Sequence, residues 1–247
     1  LGKNLAAVLV EPVQSRRPEL QPRDFLHELR DLTSREGVAL IFDEMVTGFR
    51  IHPGGAQAHF DIEADLAAYS KIVGGGLPLS VIAGRGAFMD HLQPMEDGGR
   101  GKTAFFAGTF CKHPLSLAAS HAVLEAMLKA GPELQSGLNE RTQQLVDRLN
   151  RFLKSEQIPV RFTCFGSFFS MALSQSRLAP EVVNWLSYQL VYHGVFLRGG
   201  DRGGFLTTAH DKADIDTIFR VFSSRLRHVF PENSLIGQNP ALVSARP

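Results

Sequence analysis

The sequence predicts an α/β protein with a mostly parallel sheet domain and a smaller α/β domain after it. Three observations carry this. Two short apolar runs, Ala6 to Val10 and Val38 to Phe42, flank a helical pattern, the strand–helix–strand unit of a parallel sheet. Two long helical patterns then follow one another, split by Gly131-Pro132. From Val160 onward, short strand-like pieces alternate with helices, the texture of a small domain with antiparallel pairing.

Each element has a local reason. Glu11-Pro12 bounds the first strand, and the two prolines between Arg16 and Pro22 make a loop. A helix is expected over Phe25 to Glu36, because Phe25, Leu26, Leu29 and Leu32 follow a helical period. Asp24 is placed to cap it and Gly37 to end it. The second strand carries Asp43-Glu44 at its carboxyl end, the end at which parallel sheets bind ligands. A third strand over Asp65 to Tyr69 runs into Lys71, the glycines 74–76 force a turn, and Leu79 to Ala83 returns as a strand. Helices are expected over Pro114 to Lys129 and Glu133 to Lys154, the second with Leu138, Leu145, Leu149 and Leu153 on one side. Strands at Arg161 to Phe165 and Phe168 to Leu173, a helix over Pro180 to His193, strands at Val195 to Leu197 and Phe205 to Thr208, and a helix over Ala213 to Phe230 complete the reading. The domain organisation this implies is 1–150 for the sheet domain with a bridging helix, 151–231 for the small domain, and 232–247 for a tail rich in Pro, Asn and Ser.

Composition narrows the function. Hydrophobic residues make up 44% of the 247 residues, enough for a sizeable core, and the formal net charge is +1. That balance gives no reason to expect a nucleic-acid partner. The apolar runs fall far short of the about 20 residues of a membrane span, and no basic-then-apolar leader is visible. Cys111 and Cys164 are too few for a disulfide scaffold or a structural zinc site, so no metal is expected and two reduced thiols in a cytoplasmic protein are. The chain starts without methionine directly before an apolar strand, which reads as a piece of a longer polypeptide.

Four places carry side chains suited to chemistry. Lys71 precedes three glycines that permit unusual dihedrals and a close backbone approach. A lysine held there and desolvated forms an imine with an aldehyde; an exposed lysine after a strand is the plainer alternative. Asp43 either caps a turn or faces a protonated heterocycle nitrogen. Glu44 beside it reads as a surface or hydrogen-bonding residue. Met45 and Val46 fit equally well against a flat ring or in a core. Thr109, in Gly108-Thr109 ahead of a helix, is placed to donate to a phosphate.

Together these residues resemble the class III, fold-type I, aminotransferases that use pyridoxal 5'-phosphate (PLP), including glutamate-1-semialdehyde aminomutase. The resemblance runs from about Ala6 to Phe230. It rests on LIFDEMVTGFR (40–50) and YSKIVGGGLP (69–78), with Lys71 28 positions after Asp43, and on GGAQAHF (54–60), GTFCKHPLSLAA (108–119) and GFLTTAHDKADID (204–216). It implies the carboxy-terminal part of a fold-type I enzyme. By it, Lys71 is the cofactor lysine and proton shuttle, and Asp43 pairs with the pyridine nitrogen. Met45 and Val46 lie beside the ring, and Thr109 binds the phosphate of a neighbouring subunit in a homodimer. Glu11 matches an acid of the active-site wall. The half that supplies the phosphate loop and the stacking aromatic ring in this family is not in the sequence.

A finer resemblance lies in EPVQSRRPELQPRDFLHELR (11–30). Its Gln-Ser-Arg-Arg-Pro form is similar to aminotransferase domains embedded in polyketide and mixed polyketide/nonribosomal-peptide synthases. This implies an amino acid donor and, as acceptor, a β-keto acyl chain on an acyl carrier protein. The aminomutase pattern Glu-Ala-Gly-Phe is replaced here by Arg202-Gly203-Gly204-Phe205, which argues against an aminomutase. Arg202 or Arg198 either binds a donor carboxylate or is a solvated loop arginine. The alternatives are a free-standing class III enzyme acting on a small diffusible substrate, or a degenerate domain without catalysis.

Overall fold

The fold was analysed in a computed structural model, which describes residues 4–92, 104, 108–172, 175–176, 178–197 and 203–230. It forms two compact units, one of residues 1–15 and 20–135, the other of 16–19 and 136–247.

The first unit is built on a four-stranded sheet in the order β1 (Ala7–Val10), β2 (Ala39–Asp43), β3 (Leu66–Tyr69), β4 (Val81–Gly84). The first three strands are parallel and β4 returns antiparallel. This is the mostly parallel sheet expected from the apolar runs. Helix α1 (Arg23–Glu36) links β1 to β2, and α2 (Gly55–Phe60) lies between β2 and β3. Gly37 ends α1 in the left-handed conformation at φ 65°, as expected. Asp24 does not cap it: the helix starts at Arg23, Leu26 N already donates to Pro22 O at 3.0 Å, and Asp24 falls in the first turn, where a carboxylate still favours the helix dipole. Helix α3 (Gly86–Met89) is a single turn after β4, and α4 (Pro114–Ala130) closes the unit. Neither α2 nor α3 was expected from sequence, because six and four residues hold too few periods to read.

The polar face of α1 locks the entry to β3. Arg23 donates to the carbonyls of Phe60 (2.8 Å) and His59 (2.7 Å) in the last turn of α2, where helix carbonyls run out of intrahelical N–H donors. Asp65, 5% exposed, ties four elements together. It accepts from Leu40 N (2.8 Å) in β2 and Arg30 Nη1 (2.9 Å) in α1, and pairs with Arg85 Nη1 (3.2 Å) after β4.

The second unit has an antiparallel sheet ordered β5 (Phe162–Phe165), β6 (Phe168–Met171), β7 (Gly203–Phe205). It is covered by α5 (Glu133–Ser155), α6 (Pro180–Tyr192) and α7 (Lys212–Val229). Leu145, Leu149 and Leu153 of α5 pack in one core with Phe162, Phe169, Leu186, Leu190 and Phe222. The apolar side of α5 therefore lies in the second unit, and the division falls in its first turn rather than near residue 150. Asp211 and Asp214 form a reciprocal cap on α7, which therefore starts at Lys212.

Two expected strands differ. Val195 to Leu197 is not a strand; Val195 and Leu197 are buried and supply apolar contacts instead. The last strand is Gly203–Phe205, not Phe205 to Thr208. Gly203 lies so close to β6 that a Cβ there would stand 1.9 Å from Phe169 O. Two glycines read as turn from sequence, yet here they admit the strand. The expected strand end at Leu173 and the tail beyond Phe230 lie outside the described residues. Among the described residues no helix is long and apolar enough to cross a membrane.

The Asp65 cluster sets a pH dependence. Burial pushes its carboxyl up, but the Leu40 N–H and the Arg30 and Arg85 guanidinium groups outweigh burial and hold it below the ordinary 3.8. A depressed carboxyl stabilises the fold above its unfolded value and loses that contribution as pH falls through its folded value. Asp65→Asn is expected to lower unfolding free energy by about 1–3 kcal/mol at pH 7. The gap to the natural chain should narrow below about pH 4, read by urea titration at both pH values; a gap independent of pH refutes this account.

Candidate active site

Asp43 is the last residue of β2, and Lys71 follows β3 after one intervening residue, Ser70. The register pairs Asp43 with Ala68, three residues before Lys71, so the two residues stand at the carboxyl ends of neighbouring parallel strands, whose backbones run about 4.8 Å apart. The sheet thus brings together residues 28 positions apart in the chain.

The chain turns sharply at Lys71. Ser70 is extended and its Oγ donates to Leu79 O at 2.8 Å. Lys71 then opens a 3-10 turn, Lys71–Gly74, with φ at 55°. A non-glycine residue in the left-handed region is strained by about 1–3 kcal/mol and persists only where its surroundings hold it. The glycines explain how they do. Gly75 also has positive φ, and a Cβ there would meet Ala119 O and Val123 Cγ2 of α4 at 3.0 Å. Helix α4 therefore packs on the backbone of the turn itself. Gly76, at φ 87°, has open space where a Cβ would stand.

Asp43 is half-buried and its Oδ1 accepts from Met45 N at 3.0 Å. Met45 is exposed and Val46 half-buried. Lys71 is exposed, the plainer of the two readings of the sequence, and the described residues do not desolvate it. Thr109 is exposed in the turn before α4, where Cys111 N donates to Gly108 O at 2.9 Å. His113 caps α4 through Nδ1, which accepts from Ser116 N at 3.4 Å, and Pro114 takes the first helical position. Glu11 is half-buried and Oε1 accepts from Ser15 N at 2.8 Å, bracing its own turn. Arg198 and Arg202 lie outside the described residues.

Of the two readings of Glu44, surface or hydrogen-bonding residue, the second holds, but sequence reasoning missed its burial. It is fully buried, with Thr47 Oγ1 (2.7 Å) and Ala56 N (2.8 Å) donating to Oε2 and Gln57 N (3.0 Å) to Oε1. The signal was present but weak. Gly54-Gly55 before a short helix leaves room for a foreign carboxylate, and a Cβ on Gly55 would stand 2.6 Å from Glu44 Oε2.

An amine and a carboxylate at adjacent strand ends, beside a glycine turn backed by a helix, fit an aldehyde cofactor with a protonated ring nitrogen. No group of three or more potential metal ligands occurs among the described residues. The sequence pattern of the family Aminotransferase class-III matches residues 1–212. The chain belongs to the class-III aminotransferase family. Class-III aminotransferases use PLP. The chain is 32% identical over 237 residues to the glutamate-1-semialdehyde 2,1-aminomutase of Syntrophus aciditrophicus (strain SB), covering 92% of this chain and 53% of that protein. Its fold is similar to an omega-transaminase from Sphaerobacter thermophilus, with TM-score 0.79, 27% identity and coverage of 90% of this chain and 51% of the other. A solved transaminase with PLP bound matches at TM-score 0.80 and 24% identity, over 93% of this chain and 53% of its own; at that identity the likeness is one of fold. The chain spans about half the length of the curated relatives it matches.

The two thiols differ in setting. Cys111 is exposed two residues after Thr109. Cys164 donates to Gln143 Oε1 at 3.2 Å, and burial together with the charge of Asp147 pushes it up to about 11. Because the thiolate is the reactive form, iodoacetamide at pH 8 is expected to alkylate Cys111 at least roughly 10-fold faster than Cys164. Peptide mass spectrometry over time reads this; equal rates contradict the burial of Cys164.

Proposed function

We propose that this chain carries the lysine and aspartate of a PLP-dependent aminotransferase site. Its acceptor is the keto group of a β-keto acyl chain on an acyl carrier protein, within polyketide or nonribosomal-peptide assembly. The observation that carries the PLP reading is Lys71, held left-handed two residues past β3, the strand paired in parallel with the one that Asp43 ends. The carrier-linked acceptor is supported by the form of residues 14–18 and by Arg202 in place of the aminomutase glutamate.

PLP, when bound, supplies an electron sink at the reacting carbon. Lys71 Nζ holds the cofactor aldehyde and moves the proton at the substrate α-carbon. Asp43 holds the proton of the ring nitrogen. Met45 and Val46 flank the ring, and Thr109 donates to the phosphate of a neighbouring subunit in a cytoplasmic homodimer. Glu11, Arg198 and Arg202 contact substrate, the arginines through a carboxylate of the amino acid donor.

A second reading has one specific observation behind it: the curated relative named above is an aminomutase at 32% identity. On that reading the substrate is small and diffusible. The two separate by experiment. The intact protein with PLP, glutamate or glutamine, and a β-keto acyl carrier protein should yield an aminated carrier-bound chain, read by intact-protein mass spectrometry. Amination of free small ketones alone would sink the carrier-linked acceptor. Lys71→Ala should lower turnover by roughly 10²–10⁴-fold; unchanged turnover refutes its role.

A further inference from the structure

We infer that Glu44 is a positioning residue for Lys71, acting through Gln57 and Tyr69. This rests on the reading of Lys71 given above. The backbone of Glu44 fixes the exit of β2 to β3, with its N–H donating to Ala68 O at 2.9 Å. Its carboxylate orients Gln57 by accepting the Gln57 N–H. The Gln57 side chain then has one permitted orientation. Ala64 N–H must meet an acceptor, so Oε1 faces it at 2.9 Å, and Nε2 is left to donate to Tyr69 Oη at 2.9 Å.

Tyr69 closes β3 two residues before Lys71 and pairs with Val81 of β4. Its ring is wedged against Gly48, where a Cβ would lie 2.6 Å from Tyr69 Cδ1, and against Phe49 at 5.5 Å between centroids. Gln57 thus grips the far end of a side chain whose backbone leads directly into the left-handed turn. A chain of hydrogen bonds runs from the residue after Asp43 to the residue two before Lys71, and a backbone bond closes it. Burial and the charge of Glu44 push the Tyr69 phenol above its ordinary 10.0, so it stays protonated at neutral pH.

Tyr69→Phe tests this in the full chain, because it keeps the wedged ring and removes only the oxygen. Losing one hydrogen bond should raise amide exchange across residues 70–76 about 5-fold and leave peptides of α7 unchanged. PLP trapped on Lys71 by borohydride at subsaturating cofactor should fall by a similar factor, with a shifted pH midpoint. Glu44→Gln should reproduce the pattern, and Glu44→Asp should restore part of it. Unchanged exchange at 70–76, equal acceleration over the whole chain, or equal trapping by Tyr69→Phe and the natural chain would each overturn the inference. Local exchange that responds while neither protein traps PLP sinks the function proposed above, and supports only the mechanical link from Glu44 to the turn.

Discussion

A carboxylate removed from water must be met by donors, since each donor left unpaired costs about 1–3 kcal/mol. Glu44 is such a carboxylate, and its three donors come from Thr47, Ala56 and Gln57. That requirement fixes the path between β2 and β3. The chain must turn at Thr47 and must start α2 where its first free N–H groups can reach the acid. It must also keep glycine at 55, because a Cβ there would occupy the place of the carboxylate. The short helix is thus formed by the acid as much as by its own sequence.

A second buried acid does the same work elsewhere in the sheet. Asp65 stands before β3 and gathers α1, the start of β2 and the residue after β4. Glu44 follows β2 and holds the loop that carries the chain toward Asp65. Together they clamp the segment between β2 and β3 at both ends, with Arg23 binding the last carbonyls of α2 between them. The carboxyl ends of the strands can then carry exposed functional groups, because their support comes from bonds beneath them. The strained turn at Lys71 is one such group, pressed from behind by α4.

Much of this was legible in the sequence, for identifiable reasons. Asp43 and Lys71 were readable because each ends an apolar run, and a side chain at a strand end keeps its place in any such sheet. The helices from Pro114 onward were readable because their apolar periods span several turns. Glu44 was not, because its burial depends on a glycine eleven positions away and on donors from a helix too short to predict. β7 was misplaced for a related reason. Two glycines read as a turn, yet a strand that presses against the Phe169 carbonyl requires glycine at 203.

The sequence by itself determined the strand-and-helix alternation, the family, and the residue types of the proposed site, since periodicity and motif spacing are local properties of the chain. It did not determine what surrounds them. Only the tertiary structure placed Asp43 at the end of one strand and Lys71 just past the end of its neighbour, and buried Glu44 against the start of α2. Only it showed Lys71 exposed, where the sequence left both a desolvated amine and an exposed lysine open. Burial and hydrogen bonding between distant residues depend on which segments meet, and no local pattern encodes that.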